Sequence, residues 1–180
     1  VAVRPYLGVL PVQGARVYVD ESALVIGRVT LADDVSVWPF AVVRGDVNSI
    51  AIGARTNIQD GCVLHVVHDG PFTPGGLSLV VGEDVTVGHK AVLHAASIGS
   101  RVLVGMGALV LDGATVEDEV IIAAGSIVPP GKRLNTRGLY LGNPAKRVRE
   151  LTARELEMLV YGPANYVKIK DHYRGPAIPG

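Results

Sequence analysis

A hydrophobic period of six residues restricts what this chain can fold into more than any other feature. Ile98, Val104, Val110, Val116, Ile122, Val128 and Leu134 stand six apart, and each is Val, Ile or Leu. The same interval runs through Val19, Val25, Leu31, Val37 and Val43. It resumes after three inserted residues at Ile52, Ile58 and Leu64, and after a longer insertion at Val81, Val87 and Leu93; a one-residue deletion then leads to Ile98. A second column stands four residues after each slot. It runs from Ala23, Val29, Val35 and Ala41 through Val47, Thr56, Cys62 and His68 to Ser97, Ser126 and Lys132, and is mostly small or β-branched. Glycine often follows the slot, as at Gly53, Gly82, Gly88, Gly99 and Gly105. An ordinary β-sandwich of short strands has no reason to hold a six-residue register. Each hexad reads as a short strand plus a turn, and three hexads as one triangular coil of a parallel β-helix. The slots from Val19 to Leu134 supply about six coils.

Composition agrees with that architecture. Aromatic residues make up only 5 % of the 180 residues, while glycine occurs 22 times. Such a core of small aliphatic side chains suits stacked parallel strands better than a helical bundle. Residues 1–180 are expected to form a single domain, with an N-terminal segment over 1–18, the β-helix over 19–134 and a C-terminal helical segment over 151–173. The stretch from Gly70 to Ser78, rich in Gly and Pro, is expected to be a loop between two coils. Thr152 and Glu155 form a capping box ahead of Leu156, Leu159 and Val160 at helical spacing. Gly162-Pro163 is expected to kink or split that helix, with Pro163 starting a second one.

Charge and cysteine usage exclude several classes. Lys and Arg number 17, as do Asp and Glu, so the formal net charge is zero. That argues against nucleic acid as a partner. The longest uncharged apolar stretch, Val102 to Leu111, is too short to span a bilayer, and no signal peptide is visible. The lone cysteine, Cys62, precludes an internal disulfide framework and reads as a small core residue. A cytoplasmic, membrane-free protein is the expectation.

The register gives the histidines meaning. Slots 52, 58 and 64 lie on faces 1, 2 and 3 of one coil, and slots 81, 87 and 93 on the same faces of the next. His65 and His94 therefore occupy the same place on face 3, one coil apart. Adjacent strands lie ~4.8 Å apart, close enough for two imidazoles to share one metal ion. Arg44 falls in the same column below His65 and Leu111 above His94. Arg44 is always protonated, so it can pair with a carboxylate but cannot be a ligand. His89 lies on face 2, at the offset that Asp60 holds one coil earlier, with Gln59 beside it. The simplest way to bring His89 to the His65/His94 pair sets face 2 of one copy against face 3 of another; three such contacts close a ring. Stacked histidines can also form a metal-free hydrogen-bonding ladder, and Arg44, Asp46 and Asp60 plain interface ion pairs. His68 falls in an inward slot, which favours a structural role, although it lies three residues from His65. His172, near the chain end, is expected to be solvated.

The stretches Arg44-Gly45-Asp46, Asn57-Ile58-Gln59-Asp60-Gly61-Cys62-Val63-Leu64-His65, Gly88-His89-Lys90-Ala91-Val92-Leu93-His94 and Gly142-Asn143-Pro144-Ala145-Lys146 resemble the gamma-class carbonic anhydrases, especially the short bacterial and archaeal members, some labelled ferripyochelin-binding proteins. The resemblance covers nearly the whole chain. It implies a left-handed β-helix, a homotrimer and a Zn²⁺ ion (alternatively Fe²⁺ or Co²⁺) at each interface. By the same resemblance His65 and His94 of one chain and His89 of its neighbour are the metal ligands, Arg44, Asp46 and Asp60 an ionic network, and Gln59 and Asn57 orient water and substrate. The implied activity is reversible hydration of CO₂ to bicarbonate. The chain departs from well-characterised members at Val47 and in Val66-Val67-His68-Asp69-Gly70, where they carry glutamates used in proton transfer; His68 or Tyr173 is the candidate replacement. A non-catalytic metal-bound scaffold or ligand-binding protein, and a hexapeptide acyltransferase, are the alternatives.

Overall fold

A computed structural model describes residues 2–175. Among the described residues, twenty strands, most of them two or three residues long, are followed by one helix, α1 (Ala153–Arg174). Apart from one terminal hairpin the strands pair in parallel, each with the strand one coil away, and the chain winds as a left-handed β-helix.

Three stacks of slots line the core. On face 2 they are Val19, Val37, Ile58, Val87, Val104, Ile122 and Tyr140. On face 3 they are Val25, Val43, Leu64, Leu93, Val110 and Val128. On face 1 they are Leu31, Ile52, Val81, Ile98, Val116 and Leu134. All are buried or nearly so. The period therefore extends one slot beyond Leu134, to an aromatic residue. It also starts earlier than Val19. Val3 pairs with Val25 and Gln13 with Leu31, so part of the segment 1–18 is an incomplete first coil. Its spacing is disguised by a tight Tyr6–Val9 turn.

Insertions shift the second column. Val29 pairs with Ile50, which in turn pairs with Leu79, and these side chains are buried. Val47 and His68, counted inward from the preceding slots, are instead exposed, because the inserted residues fall between slot and inward position. Ser97 is likewise exposed, and its buried neighbour Ala96 fills the core. Gly27 and Gly45 allow the two coils flanking the first insertion to touch. A Cβ on Gly27 would lie 2.6 Å from the Gly45 carbonyl oxygen, and one on Gly45 equally close to that of Arg28. This contact fixes the backbone directly before Asp46.

The strands Gly138–Gly142 and Ala145–Glu150 form an antiparallel hairpin at the end of the face 2 stack. Helix α1 then runs back along face 2. Its N-terminus carries both halves of the Thr152/Glu155 capping box. It is one helix: Pro163 sits inside it, buried, and the expected split at Gly162-Pro163 does not occur. Tertiary packing outweighs the missing amide. Tyr166 and Tyr173 pack on Trp38, with ring centroids 5.5 and 5.2 Å away, and Tyr173 also meets Tyr18 at 5.7 Å. The fully buried Lys170 ammonium is held by Asp34 at 3.0 Å and by Asp171.

Candidate metal centre

The face 3 register places His94 directly beside His65. Their ring centroids are 5.2 Å apart, and His65 Nδ1 lies 3.2 Å from His94 Nε2. Two nitrogens bound tetrahedrally to one zinc ion, at ~2.0–2.1 Å each, lie about 3.3 Å apart. Each ring's other nitrogen is taken by a carboxylate. His65 Nε2 lies 3.0 Å from Asp46 Oδ1, and His94 Nδ1 meets Asp112 Oδ1. An ionised carboxylate only accepts hydrogen bonds, so a neutral ring that keeps its carboxylate contact carries its N–H on that side. With both carboxylate contacts kept, the facing nitrogens present lone pairs 3.2 Å apart, a spacing that suits a shared cation; with one ring's N–H turned inward, the same spacing suits a hydrogen bond between the rings.

Asp46 is also paired with Arg44 and accepts the backbone N–H of Val47 at 2.8 Å. Burial works to raise its pKa, but His65, Arg44 and the Val47 amide outweigh it and hold the carboxyl at about 2. Within the chain Arg44 thus pairs with Asp46. Among the described residues, no three His, Cys, Asp or Glu side chains converge as a metal site requires. The donor chemistry of the pair fits a divalent ion, and a further ligand has to come from elsewhere.

His89 lies on face 2. Its Nδ1 is 3.0 Å from Asp60 Oδ2, its backbone N–H donates to Gln59 Oε1 at 3.2 Å, and its side chain is 44 % exposed. Gln59 Nε2 donates to Asn57 Oδ1 at 3.1 Å, and Asn57 Nδ2 to Thr86 Oγ1 at 3.0 Å. Asn57 is fully buried and reaches this edge only through Gln59. An open cleft of about 390 Å³ lies beside Gln59 and His89, floored by Gly88, Gly105 and Ala123.

The remaining candidates are dispersed. His68 is exposed on the loop after His65, where Val67 and Leu77 pair and Asn48 Nδ2 donates to the Val67 carbonyl at 3.2 Å. Tyr173 belongs to the aromatic cluster on face 2, a different stack from that carrying His65 and His94. Cys62 is buried, its thiol 3.1 Å from the Gly88 carbonyl oxygen, and burial pushes its pKa up to about 12. His172 is exposed. Asp112 escaped the sequence reading. Its signal was its place directly after Leu111, the residue stacked on His94.

Comparisons with known proteins follow the same lines. No family model matches the chain. It is 57 % identical over 170 residues to protein YrdA of Escherichia coli, covering 94 % of this chain and 92 % of YrdA. It is 40 % identical over 159 residues to the mitochondrial gamma carbonic anhydrase 2 of Arabidopsis thaliana, covering 88 % of this chain and 57 % of that longer protein. The crystal structure of a hexapeptide transferase family protein from Anaplasma phagocytophilum superposes with a TM-score of 0.88 at 37 % identity, over 96 % of this chain and 98 % of that one. Among the described residues, no helix is long and apolar enough to cross a membrane. The chain belongs to the hexapeptide-repeat superfamily of gamma-carbonic-anhydrase-like and acyltransferase-like proteins.

Proposed function

We propose that the chain forms a homotrimer that holds a divalent ion (Zn²⁺, alternatively Fe²⁺ or Co²⁺) at each interface, through His65 and His94 of one copy and His89 of the next. The trimer catalyses reversible hydration of CO₂ to bicarbonate. The observation that carries this reading is the facing pair of ring nitrogens, His65 Nδ1 and His94 Nε2, 3.2 Å apart with both outer nitrogens beside carboxylates. The surfaces support the assembly. Face 3 presents an outward aliphatic stripe of Leu24, Val42, Val63, Val92, Leu109 and Ile127, each only partly covered. Face 2 presents a floor of glycine and alanine beside His89.

Bound there, a divalent ion would supply a Lewis-acid centre with an open coordination position, at which water ionises near neutral pH. The residues of the chain do the rest. Asp46 and Arg44 orient His65, Asp60 orients His89, and Gln59, fixed by Asn57, offers its amide to the oxygen of the substrate. A proton must leave during turnover, and Val47 stands where better-studied relatives carry a glutamate. Exposed His68 is the imidazole of the loop adjoining His65, and Tyr173, on the other stack, is the less suitable carrier. The missing glutamates favour a second reading, a metal-bound scaffold without turnover.

Metal analysis of anaerobically purified protein, paired with stopped-flow CO₂ hydration, tests the proposal. It expects about one divalent ion per chain and metal-dependent hydration. His65→Ala and His94→Ala should lose both while keeping the fold. Full metal loading without hydration would favour the scaffold; transfer from an acyl-CoA by metal-free protein would favour the acyltransferase.

A further inference from the structure

The two imidazoles are held from opposite sides, and the second holder is a residue to which no role has been given. Asp112 begins the turn one coil beyond His94. Its backbone is pinned above and below: its carbonyl accepts the Gly131 N–H at 2.8 Å, and the next amide, of Gly113, donates to the Ala95 carbonyl at 2.7 Å. From that fixed point its carboxylate reaches His94 Nδ1. Asp46, one coil below His65, reaches His65 Nε2 instead.

Resting on the reading of this corner as a metal centre, we propose that Asp112 is a positioning residue which, together with Asp46, locks His65 and His94 in opposite tautomers. His65 carries its proton on Nε2 and offers Nδ1; His94 carries its proton on Nδ1 and offers Nε2. If both rings carried the proton on the same nitrogen, one of them would present an N–H to the shared point. A hydrogen-bonded pair without metal would require just that, or an additional proton. Asp112 therefore decides whether the stacked histidines act as a ligand pair or as a ladder. Outer partners of this kind are commonly worth ~10–100-fold in metal affinity.

Two readouts on the full-length protein test this. In the metal-free protein at a pH where both rings are neutral, long-range ¹H–¹⁵N spectra should show the Nε2–H tautomer at His65 and the Nδ1–H tautomer at His94. Asp112→Ala should turn His94 into a tautomer mixture and leave His65 unchanged. Chelator competition should then show Zn²⁺ affinity lowered by ~10–100-fold in Asp112→Ala. Asp112→Asn, which keeps an accepting oxygen, should recover part of that loss. Like tautomers in the wild type would overturn the inference, as would an Asp112→Ala variant with unchanged His94 spectrum and Zn²⁺ affinity. A wild type with the stated tautomers that takes up no Zn²⁺ would overturn the metal-centre reading while leaving the tautomer lock standing.

Discussion

At the corner between faces 1 and 2, the turn residues Arg16, Asp34, Arg55, Asp84, Arg101, Glu119 and Arg137 climb the helix with alternating charge. All adopt the left-handed backbone region, with φ between 53° and 61°. Each finds a partner within the chain: Arg16–Asp34 at 2.6 Å, Arg55–Asp84 at 2.7 Å, Arg101–Glu119 at 3.3 Å and Arg137–Glu119 at 2.8 Å. The face 3 column of Arg44, His65 and His94 obeys the same stacking geometry with the opposite outcome. There the acids stand at the outside, and two ring nitrogens face each other in the middle. A ladder whose neighbours neutralise one another is a structural device. A ladder that leaves two ring nitrogens facing each other is the place to look for something bound.

Stability separates the two ladders first. Asp34→Ala removes one of the two counter-charges of Lys170, whose side chain has no solvent exposure. With Asp171 still in place, the loss should be about 3 kcal/mol in a denaturant titration. Metal content should be unaffected, because Asp34 lies on the other corner; a coupled loss would show that the two ladders are not independent.

The same carboxylate gives a pH signature. Arg16 chiefly, with Lys170 added and burial opposing, holds Asp34 at about 2, below its ordinary 3.8. A pKa lowered by folding contributes stability above the unfolded value and loses it as pH falls through the folded one. Stability should therefore drop between about pH 4 and pH 2, and Asp34→Asn should flatten that limb in pH-dependent melting.

The histidine corner should respond in turnover instead. If removal of the proton limits hydration, imidazole buffer should raise the rate, more steeply in His68→Ala. Val47→Glu should raise it by up to about 100-fold without changing metal content. Buffer-independent rates in both the wild type and His68→Ala would show that this step is not limiting. The smallest effect belongs to the exposed end of the charge ladder. Arg137→Ala should cost less than about 1 kcal/mol by thermal melting, and a larger loss would mean that the ladder acts as a network.

The six-residue period made the coils, the three faces and the His65/His94 stacking legible, because in a parallel helix one slot predicts the next by simple addition. Addition failed where residues were inserted. His68 and Val47 are assigned inward by counting, but pairing puts Leu79 and Ile50 there. Tyr140 was hidden by its aromatic side chain, and Val3 and Gln13 by the Tyr6–Val9 turn. The unbroken α1 was illegible locally, since what holds it across Pro163 is packing on Trp38 and the burial of Lys170. The alternating ladder was open to reading, three residues after each face 1 slot from Leu31 to Leu134. The carboxylate on His94 was harder to see, because it depends on a turn in the following coil.

Complementation between two defective copies tests most directly the claim that the histidine corner is completed by a neighbour. His89→Ala retains the stacked pair, while the double variant His65→Ala/His94→Ala retains the lone face 2 histidine. Each alone should bind essentially no Zn²⁺. Unfolded together and reassembled in equal amounts, they should form mixed rings in which one interface of three is complete, giving about one ion per four chains under random assembly. If His89→Ala alone still bound one ion per chain, or if the mixed rings bound none while the wild type did, the site would not lie between copies as described.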